Sequence, residues 1–178
     1  MDSEHRSNKK ADQTFFITMD VEKCRGCRIC ELVCSFSHTS EFNPAKSNIR
    51  CIITEEDGVF YGIPMFCQQC KEPVCMNVCP VKAIYIDSKT GAKLVNIRKC
   101  IGCRVCMSVC PFGGISFDAD RNIMTKCDLC NGDPLCVQYC PFNALEYVRS
   151  DKIDVQRKRK GIQAILESQK GSLRESSI

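Results

Sequence analysis

The chain has 178 residues, a formal net charge of +4 and 17 cysteines, nearly one residue in ten. Those cysteines are counted within its 44% hydrophobic fraction, so ordinary apolar side chains are few for this size and hydrocarbon alone does not supply the core. No apolar run approaches the roughly 20 residues of a membrane-spanning helix, so no direct membrane span is expected.

Residues 1–13 form a polar, charged arm with no apolar stretch and no Arg-Arg pair. An export signal is therefore not expected, and a cytoplasmic location is. A disulfide framework does not suit that compartment, and an odd cysteine count leaves one thiol without a partner. Residues 14–19 are β-prone and lead into the first of four cysteine runs, Cys24, Cys27, Cys30 and Cys34. An insertion over 35–66 follows, where β-rich strings 49–54 and 59–64 flank Asp57-Gly58, the signature of a hairpin.

The second run is Cys67, Cys70, Cys75 and Cys79, the third Cys100, Cys103, Cys106 and Cys110, and the fourth Cys127, Cys130, Cys136 and Cys140. Each of the last three ends in Cys-Pro, at Pro80, Pro111 and Pro141. The stretches CPVKAIYID, CPFGGISFD and CPFNALEYV repeat: each predicts a helical turn after Cys-Pro and then a short strand. Return strands are expected over 93–97 and 122–125.

The first and third runs have the C-x2-C-x2-C-x3-C spacing of bacterial ferredoxins, and the other two lengthen only the middle gap. Thiolates at i, i+3 and i+6 let one tight loop hold three iron corners of a 4Fe-4S cube, and in two-cluster ferredoxins the fourth cysteine serves the other cluster. Runs must therefore work in pairs. Gly26 and Gly102, between the first two cysteines of their runs, suit a backbone that approaches the cluster sulfurs closely. A zinc-held interaction module is the alternative of a different class, since four-cysteine zinc sites also use C-x2-C pairs. Zinc sites typically draw on two separated pairs, whereas this chain offers triplets and only two histidines, His5 and His38.

The motifs CRGCRICELVC, CQQCKEPVCMNVCP, CIGCRVCMSVCP and CDLCNGDPLCVQYCP together resemble the four-cluster iron–sulfur electron-transfer subunits of molybdenum and tungsten pterin oxidoreductases, the dimethyl sulfoxide reductase iron–sulfur subunits among them. The resemblance spans most of residues 14–149. It implies an α+β fold of two pseudo-twofold-related bacterial ferredoxin-like units, with short strands, short helices and much loop. It also implies pairing of the first run with the fourth and the second with the third. One cluster then takes Cys24, Cys27, Cys30 and Cys140, and a second takes Cys127, Cys130, Cys136 and Cys34. A third takes Cys67, Cys70, Cys75 and Cys110, and a fourth takes Cys100, Cys103, Cys106 and Cys79.

The implied function is electron transfer without catalysis of its own, between a large metal-pterin catalytic subunit and a further redox subunit or soluble carrier. The short fourth run and its Cys-Asp-Leu-Cys-x-Gly-Asp-Pro string look most like small subunits of tungsten aldehyde oxidoreductase-type enzymes, including class II benzoyl-CoA reductases. Formate dehydrogenase, hydrogenase and dimethyl sulfoxide reductase-type complexes are the alternatives.

Other residues receive simpler readings. Arg25, Arg28 and Arg104 lie within runs, where they either raise a cluster's potential or face solvent. Cys51 reads as a small buried side chain, and His38 as a surface residue. Phe15, Phe36, Phe60, Phe66, Phe112, Phe117 and Phe142 are expected to pack the thin core and shield clusters. In the tail, 150–178, Arg157-Lys158-Arg159-Lys160 precedes a one-face apolar spacing for a short helix. That basic run suits a solvated face or a protein partner; no nucleic-acid partner is expected. With four cubes at about −2 each, the +4 chain becomes a holoprotein near −4.

Overall fold

The computed structural model describes residues 15–149, which hold every cysteine of the chain. The polar arm and the basic tail, with its expected helix, lie outside the described residues.

Among the described residues every sheet is a pair of antiparallel strands. β1 (Phe15–Met19) pairs with β8 (Leu145–Arg149), β2 (Ile49–Glu56) with β3 (Val59–Phe66), β4 (Ile84–Ile86) with β5 (Lys93–Val95), and β6 (Ile115–Asp118) with β7 (Ile123–Lys126). The β2–β3 hairpin turns at Asp57-Gly58, both at positive φ of 52° and 77°, as a two-residue hairpin turn requires. It runs two residues further on each strand than expected. The return strand expected over 93–97 stops at Val95, because the Asn96 carbonyl accepts the N–H groups of Lys99 and Cys100 in the turn that opens the third run. Asn122 precedes β7 at φ 53°, a turn conformation rather than a strand one.

Four α-helices carry cysteines. α1 (Ile29–Thr39) is eleven residues long, whereas α2 (Val74–Asn77), α3 (Val105–Ser108) and α4 (Leu135–Gln138) have four residues each. The helical turns therefore lie before Cys-Pro, around the third cysteine of each run, and the expectation of a helix after it is corrected. Proline supplies no N–H, and the chain instead turns through Lys82, Gly113 and Asn143, all at positive φ (48°, 57° and 49°). The first run has Ser35 where the others have proline, so α1 continues to a left-handed Ser40 at φ 59°.

Two small cores result. One gathers Ile17, Cys34, Ile49, Phe66, Leu129, Cys136 and Leu145 around the first and fourth runs. The other gathers Ile84, Cys106, Ile115 and Met124 around the second and third. Phe66 is fully buried, but Phe36, Phe60, Phe112 and Phe142 are exposed. Phe36 stacks on Phe42 at 4.6 Å between ring centroids, outside both cores. Phe15 and Phe117 pack against the cores and Phe142 lies beside Cys24, Cys27, Cys30 and Cys140, so the expectation that the phenylalanines pack the core and shield clusters fails for Phe36, Phe60 and Phe112. No helix among the described residues is long and apolar enough to cross a membrane.

Candidate functional site

The runs fold into loops by alternating handedness. Gly26 and Arg28 in the first run, and Gly102 and Arg104 in the third, have φ between 61° and 67°. The glycines thus serve left-handed turns, and a Cβ on Gly102 would strike the backbone of Asn122.

One cavity is lined by Cys24, Cys27, Cys30 and Cys140 together with Cys51. A second is lined by Cys100, Cys103, Cys106 and Cys79. Each combines three cysteines of one run with the last cysteine of another. Electrostatic contacts group the remaining eight. Cys70 and Cys75 lie within reach of Cys67 and Cys110, and Cys136 within reach of Cys127, Cys34 and Cys130. The groups are also neighbours of one another: Cys136 feels Cys30, Cys127 feels Cys67, and Cys106 feels Cys75. These electrostatic influences link the groups in sequence, first run to fourth, fourth to second and second to third.

Burial, followed by the charge of neighbouring thiols, pushes Cys30 up to about 12 and Cys106 up to about 11. Cys127 and Cys136 are pushed up further by the same desolvation. Thiols crowded this closely resist ionising together unless a cation joins them.

Backbone N–H groups point at the sulfurs. Ala83, Gly114 and Ala144 donate to the fourth cysteines Cys79, Cys110 and Cys140 at 3.2, 3.4 and 3.3 Å. The first run has no Cys-Pro turn, and there Asn48 donates to Cys34 at 3.4 Å. Gln69 and Met124 donate to Cys67 and Cys100, both at 3.4 Å.

The β2–β3 hairpin covers the first group. Cross-strand partners Cys51 and Pro64 line its cavity, while Ile53 and Gly62, the next pair on that face, meet Gly26 and Cys24. A Cβ on Gly62 would come within 2.8 Å of the Cys24 sulfur. Glu31, completely buried, ties the hairpin down. It accepts from the Cys51 N–H at 2.7 Å and from Arg28 Nε and Nη2 at 3.2 and 2.9 Å. Arg28 is thus committed to Glu31, and Arg104 lies 3.8 Å over the Phe117 ring.

His38 is corrected from a surface residue to a bridge. Its Nε2 meets Asp128 at 3.1 Å and its Nδ1 meets the Cys34 carbonyl at 2.8 Å. The Asp128 contact, then Cys34, pushes its pKa up to about 11. His38, Asp128 and Cys130 bring donor atoms within 4.8 Å of one another, beside the group that contains Cys34.

Sequence reasoning missed a polar cluster at the junction of the second and fourth runs. Buried Gln69 donates to the Cys127 carbonyl at 2.8 Å and accepts from the Lys93 N–H at 2.7 Å. The Lys126 ammonium donates to the Lys93 carbonyl. Lys93 and Lys126 are each only 5% exposed, and neither has a carboxylate partner among the described residues. Burial, and then the charge of Lys126, lowers the pKa of Lys93. Buried lysines are rare unless an anion compensates them. Converging sulfurs, N–H donors aimed at them and uncompensated ammonium groups form a donor set that fits an anionic iron–sulfur cluster.

Two family models match this chain: a 4Fe-4S dicluster domain over residues 59–150 and a 4Fe-4S binding domain over residues 21–37. The polyferredoxin-like subunit of the aliphatic sulfonate oxidoreductase of Pyrococcus furiosus is 38% identical over 129 residues, covering 71% of this chain and 72% of that one. The B subunit of the anaerobic dimethyl sulfoxide reductase of Haemophilus influenzae is 33% identical, and the match covers 75% of this chain and 73% of that subunit. Among solved structures, the active site complex BamBC of benzoyl coenzyme A reductase with benzoyl-CoA aligns at a TM-score of 0.46 and 25% identity, covering 86% of this chain and 89% of that one. The chain belongs to the 4Fe-4S dicluster family. Its relatives are iron–sulfur electron-transfer subunits of oxidoreductases.

Proposed function

We propose that the chain holds four 4Fe-4S clusters in two pseudo-twofold-related ferredoxin units and serves as the electron relay of a larger oxidoreductase. The first unit uses Cys24, Cys27, Cys30 with Cys140, and Cys127, Cys130, Cys136 with Cys34. The second uses Cys67, Cys70, Cys75 with Cys110, and Cys100, Cys103, Cys106 with Cys79. The observation that carries this reading is the crossed make-up of the two cavities, in which Cys140 joins the first run and Cys79 the third.

Bound there, 4Fe-4S clusters supply one-electron storage at potentials set by charge, hydrogen bonding and exposure. The chain's own part is to fix their positions and surroundings. The N–H groups of Ala83, Gly114 and Ala144 stabilise negative charge on sulfur. The β2–β3 hairpin limits water at the first site. The electrostatic influences of Cys30 on Cys136, Cys67 on Cys127 and Cys75 on Cys106 support a single line of four stations, with the first-run and third-run sites at its ends.

The partner in this reading is a large metal-pterin subunit of the tungsten aldehyde oxidoreductase type, on the resemblance of the fourth run, with a second redox protein at the other end of the line. Metal and sulfide analysis of the anaerobically purified chain tests the cofactor reading: about sixteen iron and sixteen sulfide per chain are expected. Zinc without iron would overturn it. Co-purification with a large chain containing tungsten tests the partner, and a chain containing neither tungsten nor molybdenum would overturn that part.

A further inference from the structure

The second-run and fourth-run sites adjoin where Cys127 meets the field of Cys67, and among the described residues the cation at that junction has no counter-charge from a carboxylate. Lys126 directly precedes Cys127, is 5% exposed, and has its ammonium anchored on the Lys93 carbonyl. It acts electrostatically on Cys70 and Cys75, and Lys93 on Cys67 and Cys70. The Lys93 backbone is itself fixed, its N–H donating to buried Gln69 at 2.7 Å. Both lysines are therefore built into the wall of the second-run group.

An ammonium withdrawn from water without a counter-charge is strongly unfavourable, so a site that holds one implies an anion close by. Here the anions within reach are the second run's sulfurs. Adding an electron makes a cluster at those sulfurs more negative and strengthens its attraction to the cation, so a fixed cation favours the reduced form.

Building on the cluster reading above, we propose that Lys126, supported by Lys93, is a positioning charge that raises the potential of the cluster at Cys67, Cys70, Cys75 and Cys110. The relay then has an electron-holding station at the junction of its two units. A unit charge within about 10 Å, acting through an effective dielectric near 20, changes a charging equilibrium by tenfold or more.

The test is a potentiometric titration of the full-length, anaerobically purified chain, followed by electron paramagnetic resonance. Lys126→Met keeps the side chain's bulk and removes its charge. One midpoint should fall by at least a tenfold change in the reduction equilibrium, about 59 mV for a one-electron couple, and it should belong to the signal that Cys110→Ser alters. Lys126→Arg, which keeps the charge, should stay near the unsubstituted value, and Lys89→Met, at an exposed lysine, should move nothing. Full iron with unchanged midpoints in Lys126→Met overturns the proposal alone, as does an equal fall in Lys126→Arg. Should Lys126→Met lose iron, Lys93→Met decides: a fall in the same midpoint supports the proposal, and an unchanged one overturns it. An unsubstituted chain that takes up no iron overturns this proposal together with the cluster reading.

Discussion

The side-chain amide of Gln69 donates to the backbone carbonyl of Cys127 at 2.8 Å, tying the second cysteine run to the fourth. The same side chain accepts from the Lys93 N–H, so one buried amide satisfies backbone groups from two distant segments.

Replacing Gln69 with leucine preserves bulk and removes both bonds. Leaving the buried Lys93 N–H and the part-buried Cys127 carbonyl unsatisfied costs about 2–6 kcal/mol at most. Anaerobic urea denaturation of the loaded chain should show the loss as a lower midpoint. A change within error would mean that other groups take over both bonds.

Glu31 presents a second test. Glu31→Ala leaves the Cys51 N–H without its acceptor in a buried setting, a loss of about 1–3 kcal/mol. Glu31→Gln keeps an acceptor for that N–H and should lose less. The same denaturation measurement ranks the two, and equal losses would place the effect in the charge rather than in the bond to Cys51.

Cys51 stands in the cavity of the first group as a fifth thiol. In the cluster reading it is not a ligand, so Cys51→Ala should retain the unsubstituted iron content, while Cys24→Ala should lose iron. Iron loss from Cys51→Ala would make it a ligand instead.

Cluster assembly should depend on pH. The Cys30 and Cys106 thiols, raised by burial to about 12 and about 11, are protonated at neutral pH in the metal-free chain. Binding iron as thiolates releases those protons. Reconstitution yield, followed by visible absorbance, should therefore fall as pH is lowered from about 8.5 to about 6. A yield that rises on acidification would contradict this. Chelation should also weaken cooperative unfolding, because the two small cores are built partly from the cysteines themselves.

Much of this was legible because spacing encodes the local loop. The four runs, the turns after Pro80, Pro111 and Pro141 and the three local hairpins follow from short-range chemistry: the prolines, Asp57-Gly58, and alternation in the strands. The length of α1 has a local signal as well, Ser35 standing where the other runs have proline. The rest depends on contacts between segments far apart in sequence. Nothing local says that the hairpin's Gly62 presses on Cys24, or that His38 reaches Asp128. Lys93 and Lys126 lie on short strands where lysine ordinarily marks the solvent side, and only the packing of β5 against β7 encloses them.

The pairing of β1 with β8 has a consequence for biosynthesis. Phe15 lies opposite Arg149 and Met19 opposite Leu145, so the first described strand to leave the ribosome waits for the last described one before it has this partner. Closing so long a loop is slow compared with forming a local hairpin. During translation the first run is therefore an open thiol-rich segment while the middle runs, whose hairpins are local, already have their strands. In the cluster reading, the sites that combine the first and fourth runs are completed only after synthesis has passed the fourth run, and so after the sites built from the middle runs.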